Sequence, residues 1–534
     1  MTKYIDKITF WTVLLLAIFF RLYQLSSLPS GLNWDEISHG YNSYSILHTG
    51  KDQWGISYPI FNFRAYGDFP TVLNMYLTIP FIKLFGLNSL TIRLPNALVS
   101  IIFVVYSYLF AKITFKKNSM ALLSMTLAAF LPWSFFVSRG VFQSTFSMTL
   151  ILMGLFHFYK SFKNPYHFLL SLLFFGLSLY SYHNARIIIP VLLPFIIVYY
   201  RFQLFQSVYK NKKIVFTSIL IILFLFIPNL VNLFSPTSFA RNRWVGIINP
   251  NSINLLNNRR NEFVGPAIIN RLLNNRPLYF IQTLTLNYLN LFNPIPLFFS
   301  GTQNQQLSVP DMGIIFPILL PFLYIGLYLS LKNKIYLPIL FILLISLLPA
   351  ALTVGDYPVL RASSALIFYI LFITLGLSQL KNMPSIIPIL TIFIFFILYW
   401  SKYKNYNYHY SSTWQYGYQS VVDYIKKNYN QYDQIVITKK YGEPHEFVLF
   451  YWPWDPAKYQ SDTHLSSNFH SDWYWVDSFD KFIFKNDWEI KNSPYNNKTL
   501  LITSPGNYPL ANSHYQKSIN FLNQTPAFDI ISYE

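Results

Sequence analysis

Apolar runs long enough to cross a bilayer recur through the first 400 positions of this 534-residue chain. That recurrence limits the fold more than any other feature. About 20 consecutive apolar residues in a helix match the hydrocarbon thickness, and a helix satisfies its own backbone hydrogen bonds where no water can. The spacing predicts spanning helices at 8–25, 91–114, 119–137, 143–160, 166–182, 187–201, 214–234, 312–331, 335–353, 361–380 and 384–401. Charged residues make up only 11% of the chain, against about 25% in an ordinary soluble domain. The fold class expected is therefore mainly α, a polytopic helical membrane protein. The first run is longer than a signal-peptide core and no small-residue cleavage site follows it, so it reads as a retained helix.

Lysine sets the orientation. With the N-terminus on the cytoplasmic side, alternate connections carry Lys112, Lys116 and Lys117; Lys160 and Lys163; Lys210, Lys212 and Lys213; Lys332 and Lys334; and Lys381. This is the positive-inside pattern. The run 70–86 contains Pro70, Asn74, Pro80 and Lys83 and reads as an interfacial or re-entrant helix, because counting it as a span inverts every later loop. The membrane domain expected is 1–401, with a first outer loop at 26–90 and a large outer loop at 235–311. The tail 402–534 is rich in Tyr, Trp, Asn and Asp and reads as a small extracytoplasmic α/β domain. It has a helix at Gln419–Tyr429, a strand at Gln434–Thr438, a helix at Glu443–Tyr451 and a strand at Thr499–Thr503. The formal charge of +19 does not indicate nucleic acid once the basic residues are sorted by side. With no cysteine, disulfides, thiolate catalysis and Cys-ligated metals are ruled out.

Of thirteen arginines, only Arg201 falls on the inner side; of the acids, only Asp6 does. Topogenesis favours the opposite placement for arginine. The guanidinium fork suits phosphate and carboxylate, so the outer face reads as built to hold an anion. Directly after the first span comes Ser30-Gly-Leu-Asn-Trp-Asp-Glu-Ile-Ser-His-Gly40, with two adjacent carboxylates, Asp35 and Glu36. Acids beside hydrocarbon are costly unless paired or used. A carboxylate among arginines at this surface suits transfer from a lipid phosphate. Arginine stabilises the departing phosphate, and the carboxylate takes a proton from an incoming hydroxyl or amine.

The order of elements resembles the GT-C glycosyltransferases of family 39, which include protein O-mannosyltransferases and the bacterial lipid A aminoarabinose transferase. The resemblance rests on Asp35-Glu36, then Tyr66-Gly67-Asp68-Phe69-Pro70, then Phe85-Gly86-Leu87-Asn88, then Arg93-Leu94-Pro95, with Tyr182-His183-Asn184-Ala185-Arg186 and Phe239-Ala240-Arg241 farther on. It covers roughly residues 8–400, and the tail is similar to those of bacterial members. It implies that Asp35 is the catalytic aspartate, Glu36 its neighbour, and Arg93 the arginine at the outer end of the second span. Phe69 stands where the aminoarabinose enzymes have lysine, and Val141-Phe142-Gln143-Ser144 lacks the acid that often follows Arg139 in the family. The 235–311 loop has no histidine, so no metal and no cofactor are expected. The donor would be a polyprenyl-phosphate sugar, and the acceptor a protein, lipid or glycan of the cell envelope.

Structural roles stand beside these. Glu36 is suited to position Asp35, to bind sugar, or to cap the helix beginning near Ile37. Asp68 fits substrate binding or an N-cap for a helix starting at Pro70. Arg93, Arg139, Arg186 and Arg361 lie at outer span ends, where they contact phosphate or snorkel to headgroups. Arg241 and Arg243 contact phosphate or are solvated in their loop. His39 and His183 bind substrate or bond within loops. A transporter or flippase of the lipid-linked sugar is the alternative of a different class. Transporters carry ionisable groups near the midplane and inverted repeats, whereas here those groups gather at one face and no repeat is visible. A glycan polymerase or ligase of the same architecture is the third possibility.

Overall fold

A computed structural model describes residues 2–235, 245–380, 383–384, 386–470, 473–496 and 498–533. Of the described residues 62% are helical, and a sheet lies near the C-terminus. It divides into two compact units. One comprises Met1–Arg21, Asn96–Ser138 and Phe142–Trp400; the other comprises Leu22–Pro95, Arg139–Val141 and Ser401–Glu534. The first loop thus shares a unit with the tail.

A helix lies at every expected span, but the helices are often shorter than the apolar runs. Ser89–Phe115, Lys212–Asn232 and Ile386–His409 are long and apolar enough to cross a membrane, and His183–Tyr199 with Arg201–Tyr209 make a fourth if that pair, bent by 76°, is one span. Proline accounts for one shortening. The helix Asn118–Phe130 ends because Leu131, which precedes Pro132, is extended, as a residue before proline is driven to be. In the same unit the buried Arg21 donates to Ser100 Oγ at 3.0 Å and to the Ala129 and Ala128 carbonyls at 2.9 and 3.1 Å. A guanidinium with this many acceptors can stay charged away from water.

The other unit is built on a seven-stranded sheet: β1 Gln434–Thr438, β2 Ser466–His470, β3 Trp473–Phe479, β4 Phe482–Lys485, β5 Thr499–Thr503, β6 Ser513–Asn520 and β7 Pro526–Tyr533. The strand order is β2-β3-β4-β1-β5-β7-β6. Only β1 pairs in parallel, with β4 and with β5; the remaining pairs are antiparallel. The helices Tyr418–Asn428 and Pro444–Tyr451 and the strands β1 and β5 lie within a residue of the positions expected. One apolar core joins Leu32, Ile37 and Tyr41 of the first loop to Val421, Val422, Phe447, Phe450 and Ile435 of the tail. The expected interfacial helix is Leu73–Phe85 and stops at Gly86, whose φ is +75°.

Candidate functional site

The helix Trp34–Thr49 carries both acids of the Asp-Glu pair in its first turn. Its N-cap is Asn33, whose side chain accepts from the Glu36 amide at 2.9 Å while Glu36 Oε2 accepts from the Asn33 amide at 3.2 Å. This reciprocal capping box satisfies two orphan donors of the helix start. Glu36 does more than cap. It is 1% exposed and meets Arg93, itself 0% exposed, through two parallel bonds of 2.8 Å, Nε to Oε1 and Nη2 to Oε2. Its Oε1 also accepts from the Val141 amide at 3.1 Å. Arg93 donates further to the carbonyls of Leu25, Pro29 and Gly31. All five of its N–H groups therefore have acceptors inside the fold.

Asp35, in contrast, is exposed. Its main chain is fixed from both sides. The preceding residue, Trp34, donates its amide to Gln415 Oε1 at 3.1 Å, and its carbonyl accepts from Tyr66 Oη at 2.7 Å. The following residue is the clamped Glu36. The Asp35 carbonyl accepts from His39 Nδ1 at 2.8 Å, which places the proton on Nδ1 and leaves Nε2 as a buried acceptor. Tyr66 stacks on Trp473 at 5.4 Å and 12°. The arrangement sets an exposed aspartate on a backbone held at both neighbouring residues, as pre-organised acid–base chemistry requires.

Burial holds the His39 imidazole neutral. Its pKa is lowered to about 4, although the Asp35 carbonyl and the charge of Asp68 oppose the shift. A base with a depressed native pKa contributes stability that is complete above its unfolded pKa of 6.5 and is lost as pH falls towards 4. That loss amounts to about 3 kcal/mol. Buried Glu443 has the opposite sign. Burial raises its pKa to about 6 against the pull of His445 and Trp473, so stability increases by about 2 kcal/mol as pH falls from 6 to 4.5. The expected result is that His39→Asn, which keeps a donor for the Asp35 carbonyl but cannot titrate, shows a shallower acid loss of thermal midpoint between pH 6.5 and 4. Melting of wild type and variant in detergent across that range checks this; identical acid slopes would exclude a neutral buried imidazole.

The other residues singled out by sequence fall elsewhere. Asp68 is not the N-cap of a helix at Pro70, because the helix starts at Leu73 with Val72 at its N-cap and no side-chain cap. Instead Asp68 Oδ1 accepts from the Phe69 amide at 2.8 Å, and its carbonyl from the Ala65 amide at 3.1 Å. Its side chain thus caps the neighbouring amide within the turn that precedes the helix rather than the helix start. Arg139 is buried and donates to the carbonyls of Tyr23, Gln24 and Leu28 at 2.9 to 3.2 Å. In the membrane unit, Arg186 donates through Nε to the Leu179 carbonyl at 3.1 Å and lies 3.5 Å from His183 Nδ1. Asn184 between them joins Ser147 at 2.6 Å to Ser364 at 3.0 Å and approaches the carbonyl of the half-buried Arg361. Arg241 and Arg243 lie outside the described residues.

Sequence reasoning did not mark Glu443, His445 and Glu446, all buried at 2% exposure or less. His445 Nδ1 lies 3.4 Å from Glu443 Oε2, Gln53 donates to Glu446 Oε1 at 2.7 Å, and Trp473 donates to Glu443. The signal available was Glu443-Pro444-His445-Glu446, three titratable groups at a proline-started helix in a tail otherwise dominated by aromatic and polar neutral residues. Among the described residues, no group of three or more His, Cys, Asp or Glu is arranged to hold a metal ion.

Residues 70–231 match the family model described as dolichyl-phosphate-mannose-protein mannosyltransferase. No curated protein sequence matches the chain. Among solved structures, the chain is similar to ArnT from Cupriavidus metallidurans in the apo state, with 11% identity, a TM-score of 0.40 and coverage of 99% of this chain and 98% of that one. It is also similar to ArnT from the same organism bound to undecaprenyl phosphate, with 10% identity, a TM-score of 0.48 and coverage of 98% and 97%. The family match bears out the resemblance seen in the sequence and the reading of the chain as a membrane glycosyltransferase.

Proposed function

We propose that this glycosyltransferase, matched to its family over residues 70–231, moves one sugar from a polyprenyl-phosphate carrier to a hydroxyl or amine with inversion. The observation that carries the reading is the exposed carboxylate of Asp35 on a backbone held at both neighbouring residues. The Asp35 carboxylate takes the acceptor's proton as the new bond forms at the anomeric carbon. The bond to the phosphate oxygen breaks, and polyprenyl phosphate leaves from the opposite face, following the logic of single-displacement inversion. Glu36 is the residue that positions Asp35. Arginine neutralises the departing phosphate; we assign that task to Arg186, Arg361, Arg241 and Arg243, with His183 hydrogen-bonding the substrates, whereas the buried His39, expected from the sequence to bind substrate, holds the Asp35 carbonyl instead. Arg93 and Arg139 support the loop that carries the base. In this reading the N-terminus is cytoplasmic, the eleven expected helices cross or enter the bilayer, and Asp35 and the tail face outward. The acceptor is a protein, lipid or glycan of the cell envelope.

Membranes containing the protein are offered radiolabelled polyprenyl-phosphate sugars, and labelled product and free polyprenyl phosphate are separated. Transfer from at least one donor, with an inverted anomeric product, is the expected result. Movement of the labelled lipid across a vesicle bilayer with no release of sugar overturns it in favour of a transporter.

A further inference from the structure

The tail has no chemistry assigned to it, yet one of its side chains completes the first turn of the helix that carries Asp35. A helix start leaves backbone N–H groups without intrahelical acceptors. Asn33 takes the Glu36 amide, and local sequence supplies no side chain for the Trp34 amide. Gln415 supplies it from 381 positions away, Trp34 N to Oε1 at 3.1 Å, while its own Nε2 donates to the Tyr441 carbonyl at 2.7 Å. Gln415 is 5% exposed and sits at φ +50°, ψ +38°. A non-glycine residue is strained in left-handed backbone, and here that conformation accompanies an amide used at both ends.

Two glycines bring the tail this close. A Cβ on Gly442, at φ +105°, would lie 2.0 Å from Trp34 Cε3, and a Cβ on Gly31 would lie 2.0 Å from the Trp414 carbonyl oxygen. Gln415 and Gly442 of the tail therefore meet Trp34, the residue before Asp35, and Trp414 packs against Gly31 three residues upstream of it. We infer that Gln415 is a positioning residue for Asp35, and that the tail is a working part of the catalytic centre. This rests on the reading of Asp35 as the base. Gln415 touches no reacting atom. It sets where the first turn sits, and displacing a reacting group by about 1 Å can cost roughly 100-fold in rate.

The test compares Gln415→Met, which keeps the volume, and Gln415→Gly, which suits the left-handed backbone, in the full-length protein with the donor that the transfer assay identifies. Expected is a fall in kcat of about 10- to 100-fold with donor KM within about twofold and a near-native melting midpoint. In an Asp35→Asn background, Gln415→Gly is expected to cause no further fall, since residues acting as a unit are not additive. A further fall in that background, unchanged kcat in both variants, or aggregation of both overturns the inference, the last by making Gln415 a residue of folding alone. If Asp35→Asn turns over normally, the catalytic reading itself fails. If Asp35→Asn is inactive while both Gln415 variants match wild type, only the positioning role fails.

Discussion

Asp35→Asn is expected to lower transfer by about 1,000-fold, within the 10²–10⁴ range that general base catalysis contributes, while the protein binds donor within about twofold of wild type. The carboxylate is exposed and the helix is capped by Asn33 rather than by Asp35. Removing one charge from the first turn costs about 0.3–1 kcal/mol of favourable interaction with the helix dipole, too little to unfold the unit. The asparagine keeps the shape and loses only the capacity to take a proton. Turnover and donor binding, measured on the same detergent preparation, separate the outcomes. Loss of transfer with retained binding identifies the base; transfer at the wild-type rate removes Asp35 from the chemistry. Glu36→Gln serves as the contrast. Glu36 is buried against Arg93 and the Val141 amide, so its loss acts through the fold, and donor binding and melting midpoint fall together with turnover.

That contrast marks where the sequence was legible. Apolar runs located a helix at each expected span because burial in lipid demands long uninterrupted hydrophobicity; they overstated the lengths wherever a proline such as Pro132 stops the helix. In the tail, β1 and β5 announced themselves as short apolar runs. The edge strands β2 (Ser-Ser-Asn-Phe-His) and β6 (Ser-His-Tyr-Gln-Lys-Ser-Ile-Asn) did not, because both are largely exposed and owe their extension to pairing with β3 and β7. At the site, the Asp-Glu pair stood out by its place beside an apolar run. Which acid is exposed and which is clamped could not be read locally. The partners that decide it lie 57 and 105 positions away for Glu36 and 381 positions away for Trp34. Arginines at helix ends similarly announce a use for their charge without saying whether the anion is a ligand or a carboxylate of the same chain.

For Arg93 the two uses predict different failures. Arg93→Met is expected to destabilise the unit by about 3–5 kcal/mol, the cost of leaving a buried carboxylate without its partner. The three carbonyls of Leu25, Pro29 and Gly31 lose their donor in the same step. The paired variant Arg93→Met with Glu36→Gln is expected to lose less than the sum of the single losses, because no charge then remains buried alone and directly bonded residues couple. Melting midpoints and the fraction of monodisperse protein in detergent report this without any assay of transfer. If Arg93 instead held the donor phosphate, Arg93→Met would melt like wild type and lose donor affinity alone, and Glu36→Gln would not offset its effect. The bidentate geometry at 2.8 Å on both arms favours the first outcome. It makes the Arg93–Glu36 pair the anchor of the turn that carries Asp35, so the position of that side chain depends on a buried salt bridge.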